Sequence, residues 1–239
     1  MSGHSKWSTI KRKKGAADAK RGVVFTRISK DITLAAKEGG GNQDMNPSLR
    51  LAIKKAKSAN MPAANIERAI KKGTGELPGI VYEDFIYEGY GPSSVAIMIQ
   101  VMTDNKNRTL PEIRSIMSKN NGNLGSLGCV NWIFEKKGSI EIPIQNINED
   151  NLMQILDDAE IEDINFEDEF YEIIVNPSSF ELVNNLLENN NISFDGAITL
   201  IPQNTVKVVE SEVDKIVKLL DLLEEHDDVQ KVYSNFEVK

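Results

Sequence analysis

Lysine and arginine gathered around a tryptophan are the residues of this sequence best suited to chemistry, and that chemistry is the capture of a polyanion. Lys6 and Trp7 precede the run Lys11, Arg12, Lys13 and Lys14; Lys20 and Arg21 follow, then Arg27 and Lys30, and Arg50, Lys54, Lys55 and Lys57 continue the series. Residues 1–75 hold 17 Lys/Arg against 5 Asp/Glu, a net of +12, whereas the remaining 164 hold 11 against 31, a net of −20. The sequence pI near 5.0 conceals this division. Each phosphate neutralised by Lys or Arg releases condensed counterions, so such a cluster binds nucleic acid with a steep salt dependence. Trp7 adds a ring on which an unpaired base stacks for about 1–3 kcal/mol. A basic run is often only a solvated tail, but here the surplus persists through three helical segments, which favours binding. Charge does not distinguish DNA from RNA.

Other chemistry is scarce. Cys129 stands alone, which excludes an intrachain disulfide or a cysteine zinc site. The two histidines, His4 and His226, lack the further ligands a zinc site needs, and Glu224–Asp228 reads as a solvated helix end. The loop Gly122-Asn123-Leu124-Gly125-Ser126-Leu127-Gly128 follows a helix and precedes a strand, the reverse of a P-loop, and has no Lys-Ser/Thr ending. It reads as a connector. Ser126 is not in a nucleophile elbow. No catalytic residue, metal ligand or cofactor is expected, and the chain is read as non-enzymatic. Tyr87 and Tyr90, in the turn Tyr87–Pro92, with Asn105, Asn107 and Arg108, form a second set suited to contact a partner or an RNA. No apolar run approaches the roughly 18 residues of a membrane span, and the N-terminus lacks a secretory pattern. A reducing cytoplasm, without membrane attachment, is the expected location.

The elements that must position these residues follow from periodicity. Phe25, Ile28, Ile32 and Ala35 share one helical face, and Gly39-Gly40-Gly41 ends that helix. Asn46-Pro47 predicts an N-cap and first helical residue ahead of the stripe Leu49, Ile53 and Ala56. A third helix runs from about Pro62 to Gly73. Strands are predicted at Val81–Tyr87 and Val95–Met102, the latter apolar on both faces. Thr109-Leu110-Pro111-Glu112 reads as a capping box opening a helix, and Cys129–Phe134 as a strand. Ser139–Ile144, Glu149–Ala159, Ile164–Phe166, Tyr171–Val175, a helix opened by the capping box Ser178-Ser179-Phe180-Glu181, and Ala197–Ile201 give strand, helix, strand, strand, helix, strand, the ferredoxin-like order. Thr205–Val209, a helix capped by Ser211, and Val229–Phe236 close the chain. The fold class is α+β: a small helical domain (1–78), then two ferredoxin-like α+β domains, one discontinuous (79–136 plus 203–239) with the other (137–202) inserted into it.

The residues also carry a resemblance. Gly3-His4-Ser5-Lys6-Trp7, the basic run to Lys14, Phe25–Ile32, Asn46–Arg50, Lys57–Pro62, Ile66–Ile70, Tyr87–Pro92, Asp104–Thr109, Gly122–Gly125 and Trp132–Phe134 resemble the YebC/PmpR family. The C-terminal half matches in outline more than in motif. The resemblance implies three domains and a role in gene expression: bacterial members are described as probable DNA-binding transcriptional regulators, mitochondrial members as translational activators, and some bacterial relatives act at the ribosome on stalled synthesis. It implies no enzymatic activity and no cofactor. Arg27 stands where many relatives are expected to have lysine. The chain begins directly at the family motif, which speaks against a mitochondrial precursor. The resulting expectation is a nucleic-acid-binding regulator, with a ribosome- or rRNA-associated translation factor as the first alternative and a protein-only interaction module as the second. The acidic domains would face the ribosome or another protein.

Overall fold

The computed structural model describes residues 21–77, 82–157, 159–166 and 169–238, with side chains from Val24 onward. These fold as α+β, with the helical region first. They fall into two compact units, one running to Asn131 and including Val208–Val232, the other comprising Trp132–Lys207 and Tyr233–Glu237.

The first unit opens with three helices, α1 (Arg21–Gly39), α2 (Pro47–Ser58) and α3 (Ala63–Gly73). The predicted stripes meet in one apolar core of Ile28, Ile32, Ala35, Leu49, Ile53, Ala56, Ile66 and Ala69. One buried side chain sets the α1–α2 corner. Asn46 Oδ1 accepts from the Leu49 N–H at 3.0 Å, while its Nδ2 donates to the carbonyls of Ala35 at 2.7 Å and Gly40 at 2.9 Å. It thus serves groups that both helix ends leave unpaired. Gly73 is where α3 presses on α1: a Cβ there would strike the Thr33 carbonyl and the Ala36 side chain.

A sheet follows in the order β3–β1–β2–β9, from β1 (Glu83–Tyr90), β2 (Ala96–Thr103), β3 (Asn123–Leu124) and β9 (Val229–Ser234). β1 and β2 are antiparallel, with Glu83 opposite Thr103 and Tyr90 opposite Ala96. Seven of the eight β2 residues are buried, which fits its two apolar faces. Two helices, α4 (Lys106–Lys119) and α7 (Glu210–Glu224), pack together and bury Ile113 and Met117 from one, and Ile216, Leu219, Leu220 and Leu223 from the other.

In the second unit β4 (Phe134–Pro143), α5 (Glu149–Leu156), β5 (Ile161–Phe166), β6 (Phe170–Val175), α6 (Phe180–Asn189) and β7 (Asp195–Pro202) form a sheet ordered β5–β6–β4–β7. This is the ferredoxin-like arrangement. Its core joins Ile140, Ile142, Tyr171 and Ile173 to Leu152, Leu156, Val183 and Leu187 from the helices. A short sheet pairs β8 (Val206–Val208) with β10 (Phe236–Val238).

Four local expectations are corrected. Cys129–Phe134 is not a strand: Asn131–Ile133 is a 3-10 turn, and β4 starts at Phe134 and runs unbroken through Lys136-Lys137-Gly138, which reads as a break in sequence. Gly138 stays in the strand because the Phe180 ring lies against it, 2.6 Å from where a Cβ would be. The α4 helix starts four residues early, capped by Asn105, whose Oδ1 accepts from the Arg108 N–H at 3.1 Å; Thr109 is drawn inward instead. The capping box Ser178–Glu181 does not form: Ser178 Oγ donates to Asn176 Oδ1 at 2.8 Å, and Ser179, which immediately precedes α6, makes no side-chain cap, its hydroxyl pointing to Glu160 at 3.5 Å. Ser211 lies inside the first turn of α7, where Glu210 and Glu212 complement the helix dipole.

Candidate nucleic-acid interface

The helical region sorts its cations into an outer set and an inner set. Lys54 and Lys57 on α2 and Arg68 on α3 are exposed and Lys72 is half-buried, and none is in an ion pair among the described residues. Arg50 is exposed too, although its guanidinium donates to the carbonyls of Gln43 at 3.1 Å and Asp44 at 2.7 Å. Lys55 is paired with Asp31 at 3.0 Å and Lys71 with Glu67 at 2.7 Å; such exposed pairs are weak, so both cations remain accessible to a stronger anion. Lys6, Trp7, Lys11–Lys14 and Lys20 lie outside the described residues, as does the side chain of Arg21.

Lys30 belongs to the inner set. Its side chain is 5% exposed. The ammonium donates to the carbonyl of Met102 at 3.0 Å, to that of Asp227 at 2.9 Å and to Asp228 Oδ1 at 2.8 Å. All three protons are in use, so Lys30 as placed presents no donor to a phosphate. Asp228 Oδ2 accepts in turn from Arg108 at 2.7 Å, Thr109 at 2.7 Å and Thr103 at 3.1 Å. Burial alone would raise the pKa of that carboxyl, but the donors from Lys30, Arg108 and Thr109 outweigh it and hold it well below the ordinary carboxylate range. Arg27 is half-buried as well. Burial lowers its guanidinium pKa against the pull of Glu224, Asp31 and Asp227.

The second set expected from sequence is likewise divided. Asn105 caps α4, Arg108 bridges Asp104 and Asp228, and Asn107 is exposed. Tyr87 stacks beside Phe85, and Tyr90 donates its hydroxyl to the Cys129 carbonyl at 3.0 Å. The glycine-spaced loop is not a phosphate cradle. The N–H groups of Gly128, Val130 and Asn131 all point to the buried Glu88 carboxylate at 2.8 Å, so a fixed anion of the protein already occupies the place a ligand anion would take. His226 is tied to Glu112 at 3.0 Å and accepts at Nδ1 from the Asp228 N–H. No group of three or more potential metal ligands occurs among the described residues.

One feature has no counterpart in the sequence reading. Phe25 and Ser29 from α1 face Asn65, Arg68 and Lys72 from α3 across a groove of about 260 Å³, closed at one end by Tyr82. Tyr82 also borders a second depression, lined by Asp104, Glu112, Glu225, Asp227 and Asp228 together with Lys30 and Arg108. Carboxylates outnumber cations in the second depression, whereas Arg68 and Lys72 line the first. The only signal in sequence was the spacing 65, 68 and 72, one face of a short helix.

Comparison with known proteins places the chain. Residues 5–76 match the TACO1/YebC protein N-terminal domain, and residues 82–236 match the TACO1/YebC second and third domain. The chain belongs to the YebC family. It is 53% identical over its full length to a protein of Desulfotalea psychrophila and 52% identical to one of Geobacter sulfurreducens, in each case across 96% of the relative; both are named probable transcriptional regulatory proteins. Among solved structures it is similar to a conserved hypothetical protein of Aquifex aeolicus, with a TM-score of 0.83 and 44% identity, covering 93% of this chain and 92% of that one. No helix among the described residues is long and apolar enough to cross a membrane.

Proposed function

We propose that this YebC-family chain is a non-enzymatic regulator of gene expression that grips nucleic acid through its helical domain. The observation that carries the reading is the outer set of cations: Arg50, Lys54 and Lys57 on α2 with Arg68 and Lys72 on α3, in a chain whose other parts are acidic. The family's regulator names support it. The stretch Trp132–Lys207 has 3 Lys/Arg against 16 Asp/Glu, so it repels a polyanion and leaves the helices as the place of contact. Three domains, with 137–202 inserted into the split domain 79–136 plus 203–239, are part of the same proposal, as is a location in the cytoplasm.

A salt titration tests the reading. With about six phosphate contacts, log affinity falls against log salt with a slope of about −4 on a single strand and about −5.4 on duplex DNA. A flat response refutes it. Sedimentation of lysate after DNase or RNase treatment then separates the two targets: retention on promoter DNA supports transcriptional control, and RNase-sensitive co-migration with ribosomal subunits supports action in translation.

A further inference from the structure

We infer that the groove between α1 and α3 holds a single unpaired nucleobase, with the adjoining phosphate on Arg68 and Lys72; the inference rests on the nucleic-acid reading and makes its target single-stranded. Phe25 and Ser29 stand one turn apart on α1, and Asn65, Arg68 and Lys72 line the facing side of α3, so two helical stripes form opposite walls. Half-buried Phe25 and Tyr82 supply the aromatic surface on which bases stack. The Lys30 ammonium lies over the Tyr82 ring, 5.4 Å from its centroid, and helps to hold it in place at the groove. The Asn65 carboxamide makes no hydrogen bond among the described residues, so a donor and an acceptor remain for a base edge.

Charge sets the orientation. Arg68 and Lys72 offer cations on the α3 side, while the second depression that Tyr82 borders carries Asp104, Glu112, Glu225, Asp227 and Asp228 against Lys30 and Arg108, a net negative lining. A phosphate is drawn to the first side and repelled from the second. The groove is small: about 260 Å³ is below the roughly 300–1,000 Å³ of drug-sized sites and accommodates one planar heterocycle. A base inside a duplex is stacked and paired and cannot enter, so the groove selects single strands, loops or bulges.

The test compares strands of equal charge on the full chain. Labelled oligonucleotides of about 12 nucleotides, within the span of known single-strand sites, are titrated as oligo-dT, oligo-rU, an abasic DNA strand of the same length, and a duplex. The base-bearing strands are expected to bind about tenfold tighter than the abasic strand, the effect of one stacked base. Tyr82→Leu should bring oligo-dT down to the abasic level, Tyr82→Phe should not, and neither should alter the salt slope. Equal affinity of the abasic and base-bearing strands, or preference for the duplex, overturns the inference. Should Tyr82→Leu lose its fold by circular dichroism, Asn65→Ala carries the same prediction, and the abasic comparison needs no variant. If no probe binds with salt dependence, the nucleic-acid reading itself fails; if all bind with one steep slope and the base makes no difference, only the groove falls.

Discussion

Asp228→Asn should loosen the first unit more than Lys30→Met, although both break the same contact. Lys30 and Asp228 meet at 2.8 Å with side chains 5% and 6% exposed. Breaking a buried pair by removing one partner costs about 3–5 kcal/mol, because the other charge stays buried and uncompensated. Asp228→Asn leaves the buried Lys30 ammonium with only the carbonyls of Met102 and Asp227, whereas Arg108, which is exposed, keeps Asp104 and solvent. The upper part of that range is expected. Lys30→Met removes the isolated cation, and Asp228 still accepts from Arg108, Thr109 and Thr103, so a loss of about 2–3 kcal/mol is expected, near the cost of an unsatisfied charged group. The double variant should cost less than the sum by about 1–3 kcal/mol of coupling. Hydrogen exchange of α1 and β9 amides reads the local opening directly. The pH dependence follows from the sign of the shift. A carboxyl whose folded pKa lies below its unfolded value near 3.9 gives stability that is present above about pH 4 and is lost as pH falls through the folded value. Protection of α1 should therefore be flat through this group at neutral pH, with an acid limb that Asp228→Asn lacks. If Asp228→Asn changes exchange in α1 by less than about 0.5 kcal/mol, or Lys30→Met proves the worse of the two, the buried ion pair is not what fastens the helix.

Further outcomes follow from other residues. Asn46→Ala removes a helix cap and leaves the Ala35 and Gly40 carbonyls without their amide donor, so a loss of about 1–3 kcal/mol is expected in a thermal melt, larger than an ordinary cap deletion. Glu88→Gln exchanges a carboxylate that accepts three N–H groups for an amide with a single acceptor oxygen; exchange across residues 125–131 should speed up by the equivalent of about 1.5–3 kcal/mol while the β1–β2 ladder keeps its protection. Gly73→Val forces a branched side chain against the Thr33 carbonyl and should cost about 1–3 kcal/mol of helical-domain stability by the same melt.

Much of the fold was legible because single faces decide it. Ile28, Ile32 and Ala35 recur at helical spacing and are buried as that spacing predicts, and the element order over 138–200 yields its strand order. What misled was partnership at long range. Lys30 lies two residues from both Ile28 and Ile32, on the opposite side of α1, which periodicity assigns to solvent. It is buried because that side meets the ends of β2 and β9, where Met102 and Asp228, 72 and 198 residues away, await it. Thr109 heads a well-formed capping-box sequence, yet Asp228 takes its hydroxyl and Asn105 caps the helix instead. The candidate groove was illegible for the same reason: Phe25, Asn65 and Tyr82 are brought together only by packing.

The inner cations also bound what the helices can contribute to binding. Counting lysine and arginine in the sequence treats Arg27 and Lys30 as phosphate ligands, but the structure turns both inward, and Lys55 and Lys71 begin paired. Arg50, Lys54, Lys57, Arg68 and Lys72 remain as the outer set. If each neutralises one phosphate, the slope of log affinity against log salt from the described residues is about −4 to −4.5 on duplex DNA and about −3.5 on a single strand. A steeper slope for the full chain draws either on Lys37, Lys55 and Lys71 or on cations among residues 1–21, where Lys11–Lys14 is the densest run. Deleting residues 1–20 should then lower the slope toward those limits without abolishing binding. If instead the shortened chain shows no salt-dependent binding at all, the helices only carry the tail, and the outer cations of α2 and α3 are a solvated face.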